Sequence, residues 1–83
     1  MKKLIQDICN AIVGDTSSVE VSEIDGTNSS LIEIKCSKTV LGMIIGKQGR
    51  IANSIRNIAY AISYKTRKRI NIEIIDKDSA LKR

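Results

Sequence analysis

The segment Ile45-Gly46-Lys47-Gln48-Gly49-Arg50-Ile51-Ala52-Asn53-Ser54-Ile55-Arg56 carries the chain's most specific chemistry. Two glycines three positions apart bracket two polar residues, one of them a lysine. Glycine has no side chain to hold a ligand off and tolerates positive φ, so a phosphodiester backbone can come close. The residues after Gly49 start a helix, and a helix start attracts anions through its free N–H groups. A simple bend between helices would need one glycine, and no lysine within it. The chemistry this spacing suits is anion binding, and the pattern points to nucleic acid.

Catalysis finds less support. Histidine is absent, which removes the commonest general base, and no carboxylate pair stands at a convincing spacing. The run Gly42-Met43-Ile44-Ile45-Gly46-Lys47-Gln48 superficially resembles a phosphate-binding P-loop. It is one residue short between its glycines, and Gln48 occupies the position of the magnesium-binding Ser or Thr. Cys9 and Cys36 are isolated, with no CxxC, so the usual zinc ligand sets cannot be built. Both fall on apolar positions and are expected to be buried thiols in a reducing compartment. The expectation is a protein that is not an enzyme and takes no metal or cofactor.

Eighty-three residues, 42% of them apolar, fit one domain over 1–83 with one modest core. The 14 basic and nine acidic residues leave a net charge of +5, which draws a small protein towards polyanions. Phe and Trp are absent and only Tyr60 and Tyr64 are aromatic, so aromatic base-stacking platforms are nearly excluded. The apolar residues near Met1 are interrupted by Gln6, Asp7 and Asn10, which is no signal-peptide core. No run is long enough to cross a bilayer. The expected location is the cytoplasm.

Helical spacing over residues 2–13 places Leu4, Ile5, Ile8, Cys9 and Ile12 on one face, with Gly14 as the stop. Asp15 to Ser18 form a polar link. Residues 19–24 read as a strand in which Ile24 breaks the alternation, marking a bulge or an early end. Asp25 to Ser29 are turn residues. Residues 31–36 alternate again, so the two strands form a hairpin. Ser37 or Thr39 caps a short helix from Val40 to Ile45. A longer helix runs from about Arg50 to Lys65, with Ile51, Ala52, Ile55, Ile58, Ala59 and Ile62 as its apolar stripe. Lys65-Thr66-Arg67-Lys68-Arg69 is a basic connection, readable either as a second phosphate contact or as a solvated loop. Ile70, Ile72 and Ile74 mark a last strand, and residues 76–83 a charged, frayed tail. The order is α-β-β-α-α-β. An α+β fold follows, with a three-stranded sheet, helices on one face and a right-handed crossover between its parallel strands.

The glycine loop between two helices, Ile45 before it, Ile55 six residues after it and this element order closely resemble the KH domain in its prokaryotic, type II form. A KH loop clamps the backbone of about four nucleotides. The resemblance implies that Gly46 and Gly49 let the strand approach and that Lys47 and Gln48 face it. Arg50 and Arg56 would supply further phosphate contacts. Ile45, Ile51 and Ile55 would form the groove floor or lie just beneath it, and Lys65, Arg67, Lys68 and Arg69 would be secondary contacts. Two features depart from many KH domains. Ala52 stands where a large branched residue is usual, and Val40 and Leu41 occupy the neighbourhood of a frequent acidic residue.

The resemblance covers the whole chain, and a free-standing domain of this length is similar to the small bacterial KhpA (YlqC-like) family. That likeness implies an RNA-binding protein and RNA chaperone acting on single-stranded RNA. It further implies a homodimer, or a heteromer with a larger KH-containing protein of the Jag/EloR type, without membrane insertion. In some Gram-positive bacteria it implies a role in cell elongation and peptidoglycan homeostasis. The alternatives are a helix-turn-helix-like DNA-binding module and a protein–protein adaptor. The β-patterned runs and the few base-reading side chains (Asn53, Arg56, Asn57) weigh against the former.

Overall fold

The computed structural model describes residues 1–14 and 18–77. Its elements are α1 (Lys2–Val13), β1 (Val19–Asp25), β2 (Ser29–Cys36), α2 (Lys38–Ile45), a single 3-10 turn (Lys47–Gly49), α3 (Arg50–Thr66) and β3 (Arg69–Asp76). The order and the α+β class match those read from the sequence. The sheet runs β1-β2-β3. β1 and β2 pair antiparallel from Val19↔Cys36 to Asp25↔Ser30, and β2 and β3 pair parallel from Ser29↔Arg69 to Cys36↔Asp76.

Strand alternation buries one face. Val19, Val21, Ile32, Ile34, Cys36, Ile70 and Ile74 all lie against the helices. Ile5 and Cys9 of α1, Leu41 and Ile44 of α2, and Ala52, Ile55 and Ala59 of α3 close the core from the other layer. Gly14 ends α1 in the left-handed conformation, with its N–H bonded to the Asn10 carbonyl. Both thiols are fully buried. Burial, with Cys36 nearby, pushes the Cys9 thiol up to about 11, and burial raises Cys36 as well.

Four local expectations are corrected. β1 has no bulge at Ile24: its register is unbroken, Ile24 lies on the open side of the sheet beside Leu31, and it is largely exposed. The alternation changes there because Glu23 takes the helix-side position and accepts a hydrogen bond from the Lys2 backbone N–H at 3.2 Å. A carboxylate at the start of α1 also matches the positive end of the helix dipole. In α3, Ile58 stands on the flank of the buried arc and is 40% exposed, and Leu4 of α1 is similarly exposed. Asp76 is no tail residue: it belongs to β3 and is buried, because the parallel ladder continues to Cys36, whose carbonyl also accepts the Lys77 N–H. Residues 78–83, and Asp15 to Ser17 of the expected link, lie outside the described residues.

Candidate nucleic-acid interface

Ser37 stands at the N-cap of α2 with extended backbone angles but makes no side-chain capping bond. The helix starts at Lys38, two residues before the expected Val40 and with Thr39 inside it, because the Leu41 N–H already bonds the Ser37 carbonyl at 2.8 Å; it ends on the Gly46 N–H bonded to the Gly42 carbonyl at 3.0 Å. The chain then turns sharply. Gly46 has φ 76 and ψ 177, a region essentially open only to glycine. Gln48 and Gly49 follow, both left-handed at φ 57 and φ 74. The Gly49 N–H returns to the Gly46 carbonyl at 3.2 Å, closing the turn.

The two glycines have different reasons to be there. A Cβ at Gly46 would lie 2.6 Å from Ile51 Cγ1 and 2.8 Å from its Cδ1, so Ile51 packs directly on the glycine. A Cβ at Gly49 would meet nothing within 4 Å. Gly46 makes room for the protein's own side chain, and Gly49 faces open space where a ligand can approach.

Beside Gly49 runs a trough of about 220 Å³, lined by Ile45, Gly49, Ala52, Asn53, Arg56 and Ile74. The small side chain of Ala52 leaves the floor open, and β3 contributes Ile74 as the opposite wall. Lys47, Gln48 and Arg50 stand exposed at the mouth. No acidic residue occupies the first turn of α3 and no side chain caps its start. Neither Lys47 nor Arg50 enters an ion pair among the described residues. The mouth is thus cationic and the floor aliphatic, an arrangement that takes a phosphate chain on one side and apolar or base faces on the other.

Of the residues picked out from the sequence, Ile45, Gly49 and Arg56 line this trough, and Gly46, Lys47, Gln48 and Arg50 adjoin it in the turn and at the start of α3. Ile51 sits half-buried behind the loop, and Ile55 is only 1% exposed, beneath the floor rather than on it. Sequence reasoning missed Ile74 and Asn53 as lining residues. Asn53 is marked by its helical spacing from Gly49 and Arg56, whereas Ile74 is brought in only by the sheet.

The basic run lies at the far end of α3. Seventeen residues at 1.5 Å each put it about 25 Å from the glycine loop. Lys65 lies in the last turn of α3, Arg67 adopts left-handed angles just past its end, and Arg69 opens β3. Lys68 is engaged with Asp25 at 3.0 Å. The Ser30 hydroxyl, and then Lys68, hold the Asp25 carboxyl below the usual carboxylate range.

Three helices over a three-stranded sheet in the order α-β-β-α-α-β, with a GxxG turn joining the last two helices, define a KH domain of type II. Comparison with known proteins agrees. The family model for the KhpA/KhpB KH domain matches residues 2–74, and the chain belongs to this family. It is 44% identical over 75 residues, 90% of this chain and 100% of the relative, to the RNA-binding protein KhpA of Caldanaerobacter subterraneus subsp. tengcongensis. It is 41% identical over 75 residues, with the same shares covered, to the RNA-binding protein KhpA of Clostridium acetobutylicum. With the protein of that name from Aquifex aeolicus it shares 37% over 76 residues, 92% of this chain and 96% of the relative. No solved structure matches it significantly. No helix among the described residues is long and apolar enough to cross a membrane.

Proposed function

We propose that this chain is a binding protein for single-stranded RNA, with little base preference. Its ribose-phosphate backbone would pass over Gly46–Gly49 and be neutralised by Lys47, Arg50 and Arg56. Its bases would rest on the aliphatic trough between α3 and β3. The observation that carries this reading is the open gap at Gly49 beside that trough, under a helix start free of carboxylates. Relatives of nearly full coverage that are named RNA-binding proteins support it.

A four-nucleotide clamp with no aromatic ring lining the trough binds weakly, so useful affinity calls for more than one KH unit. The working form is a homodimer, or a heteromer with a larger KH-containing protein of the Jag/EloR type. The cellular role that fits is that of a cytoplasmic RNA chaperone acting on cell elongation and peptidoglycan homeostasis.

The test replaces Lys47 and Gln48 by aspartate. Both side chains are exposed and neither supports the core, so the variant keeps its circular dichroism spectrum. It is expected to lose binding to single-stranded RNA in a fluorescence anisotropy titration, with duplex DNA as competitor. Undiminished binding by a folded variant rejects the loop, and preference for the duplex rejects the RNA reading.

A further inference from the structure

The face of α3 that borders the trough does not end there. Gly49, Asn53 and Arg56 line the trough. At the same helical spacing follow Tyr60, then Ser63 and Tyr64, then Arg67 just past the helix end. Ser63, Tyr64, Arg67, Lys68 and Arg69 line a second, wide-open cleft of about 480 Å³. Tyr60 is 55% exposed and Tyr64 is 89% exposed. The only two aromatic rings in the chain therefore stand on one stripe, between two clusters of cations.

The cleft has a fixed frame. Ser63 Oγ donates to the Lys68 carbonyl at 2.7 Å. The Arg69 N–H donates to the Asn28 carbonyl at 3.0 Å, tying the turn to the β1–β2 hairpin. Lys68 is held by Asp25. These bonds use the lysine and leave Arg67 and Arg69 without a carboxylate partner among the described residues. Two arginines beside an exposed ring offer both contacts a nucleotide needs: guanidinium to phosphate, and a flat face to the base.

We propose that this cleft is a second nucleotide subsite, with Tyr64 stacking a base and Arg67 and Arg69 holding the flanking phosphates. The inference rests on the reading of the glycine loop as an RNA clamp, and it extends the strand along α3 past Tyr60. A stacked strand rising about 3.4 Å per nucleotide covers the intervening 25 Å in about seven nucleotides. The loop and the cleft then act together only on an RNA longer than the loop alone can hold. Charge and continuity with the trough specify nucleic acid as the occupant.

The test compares oligouridylates of about five and about fifteen nucleotides, spanning the reach of the loop alone and of both subsites. The variants are Tyr64→Leu and the double change Arg67→Gln/Arg69→Gln, all at exposed positions that leave the Lys68–Asp25 pair and Ser63 in place. Each is expected to weaken the longer RNA about fivefold or more, the effect of losing one stacked base or its phosphate contacts, and to leave the shorter RNA unchanged. Equal loss on both lengths, or none on the longer, overturns the subsite. Stronger retention on anionic lipid vesicles than on the longer RNA, abolished by the same changes, would overturn it in favour of a membrane contact. The Lys47→Asp/Gln48→Asp variant separates the two claims. If it keeps its affinity for the short RNA, the loop reading fails. If it loses the short RNA while the cleft variants bind the long RNA normally, only the cleft fails.

Discussion

Alanine at each of the two loop glycines should have opposite consequences for folding and for binding. At Gly46 the substitution meets two costs. Its φ 76, ψ 177 backbone is worth about 1–3 kcal/mol of strain for a residue with a Cβ. The new methyl also lands 2.6 Å from Ile51 Cγ1, and overpacking of that kind costs about 1–3 kcal/mol. A chain of 83 residues is held by about 4–12 kcal/mol in all. Gly46→Ala should therefore lose a large part of the fold's stability, with Ile51 driven out of place. At Gly49 the angles are left-handed, φ 74 and ψ 13, and nothing stands near the new methyl. The cost there is about 1–2 kcal/mol of backbone energy alone. Gly49→Ala should stay folded, yet place a methyl where the RNA backbone has to pass. Urea unfolding followed by far-ultraviolet circular dichroism measures the first effect, and anisotropy with a short oligouridylate the second. The reasoning is refuted if Gly46→Ala is as stable as Gly49→Ala. A Gly49→Ala protein that binds RNA as tightly as the parent refutes the assignment of Gly49 to the ligand. Adding Ile51→Ala to Gly46→Ala removes the clash with Cγ1 and Cδ1 but keeps the Cβ, 2.9 Å from the new methyl, and gives up the packing of Ile51 on the core, so the stability of the parent should not return.

Two further outcomes follow from charge and burial. With Lys47, Arg50 and Arg56 as the three phosphate contacts of the loop, the plot of log K against log salt for a short single strand should have a slope of about −2. A slope near zero in an equilibrium titration would remove phosphate contact from the mechanism. The Cys9 thiol sits at about 11 in the fold against its ordinary value of 9.0. Above pH 9 the unfolded chain has already released a proton that the folded one retains, so stability should fall as pH rises from 9 towards 11 and then level off. Urea midpoints across that window should show the decline, and Cys9→Ala should make it shallower, leaving the share of the buried Cys36 thiol; identical slopes for the two proteins would contradict the buried-thiol account.

The order of elements was legible because each announces itself locally. Period-2 runs at Val19–Val21, Ile32–Cys36 and Ile70–Ile74 and the 3.6-residue stripe through Ala52, Ile55 and Ala59 need no knowledge of their neighbours. The loop was legible for the same reason: glycines, lysine and helix start are contiguous. What escaped depends on contacts across the fold. The broken alternation at Ile24 suggested a bulge or an early end, whereas the bond between the Glu23 carboxylate and the Lys2 N–H, 21 positions away, accounts for it. Ile74 joins the trough only once β3 lies next to α3. Ile58 satisfies the helical spacing, yet the sheet covers a narrower arc of α3 than the sequence offers. The role of Gly46 was read as access for a ligand, whereas the structure gives the space to Ile51. That distinction cannot be read from residue type, because the same glycine serves either purpose.

The parallel pairing of β2 with β3 bears on the order in which the molecule assembles. The β1–β2 hairpin joins neighbours across a short turn, and hairpins of this kind close in about 1–10 microseconds. Ser29 meets Arg69 only after the whole α2–α3 crossover has been drawn in, so the entropy of closing that long loop comes before any contact across it forms. Ile74 arrives with this last strand, and with it the second wall of the trough. A nascent or partly unfolded chain thus carries the glycine turn without its groove, and competence to hold a ligand appears only with the final docking step.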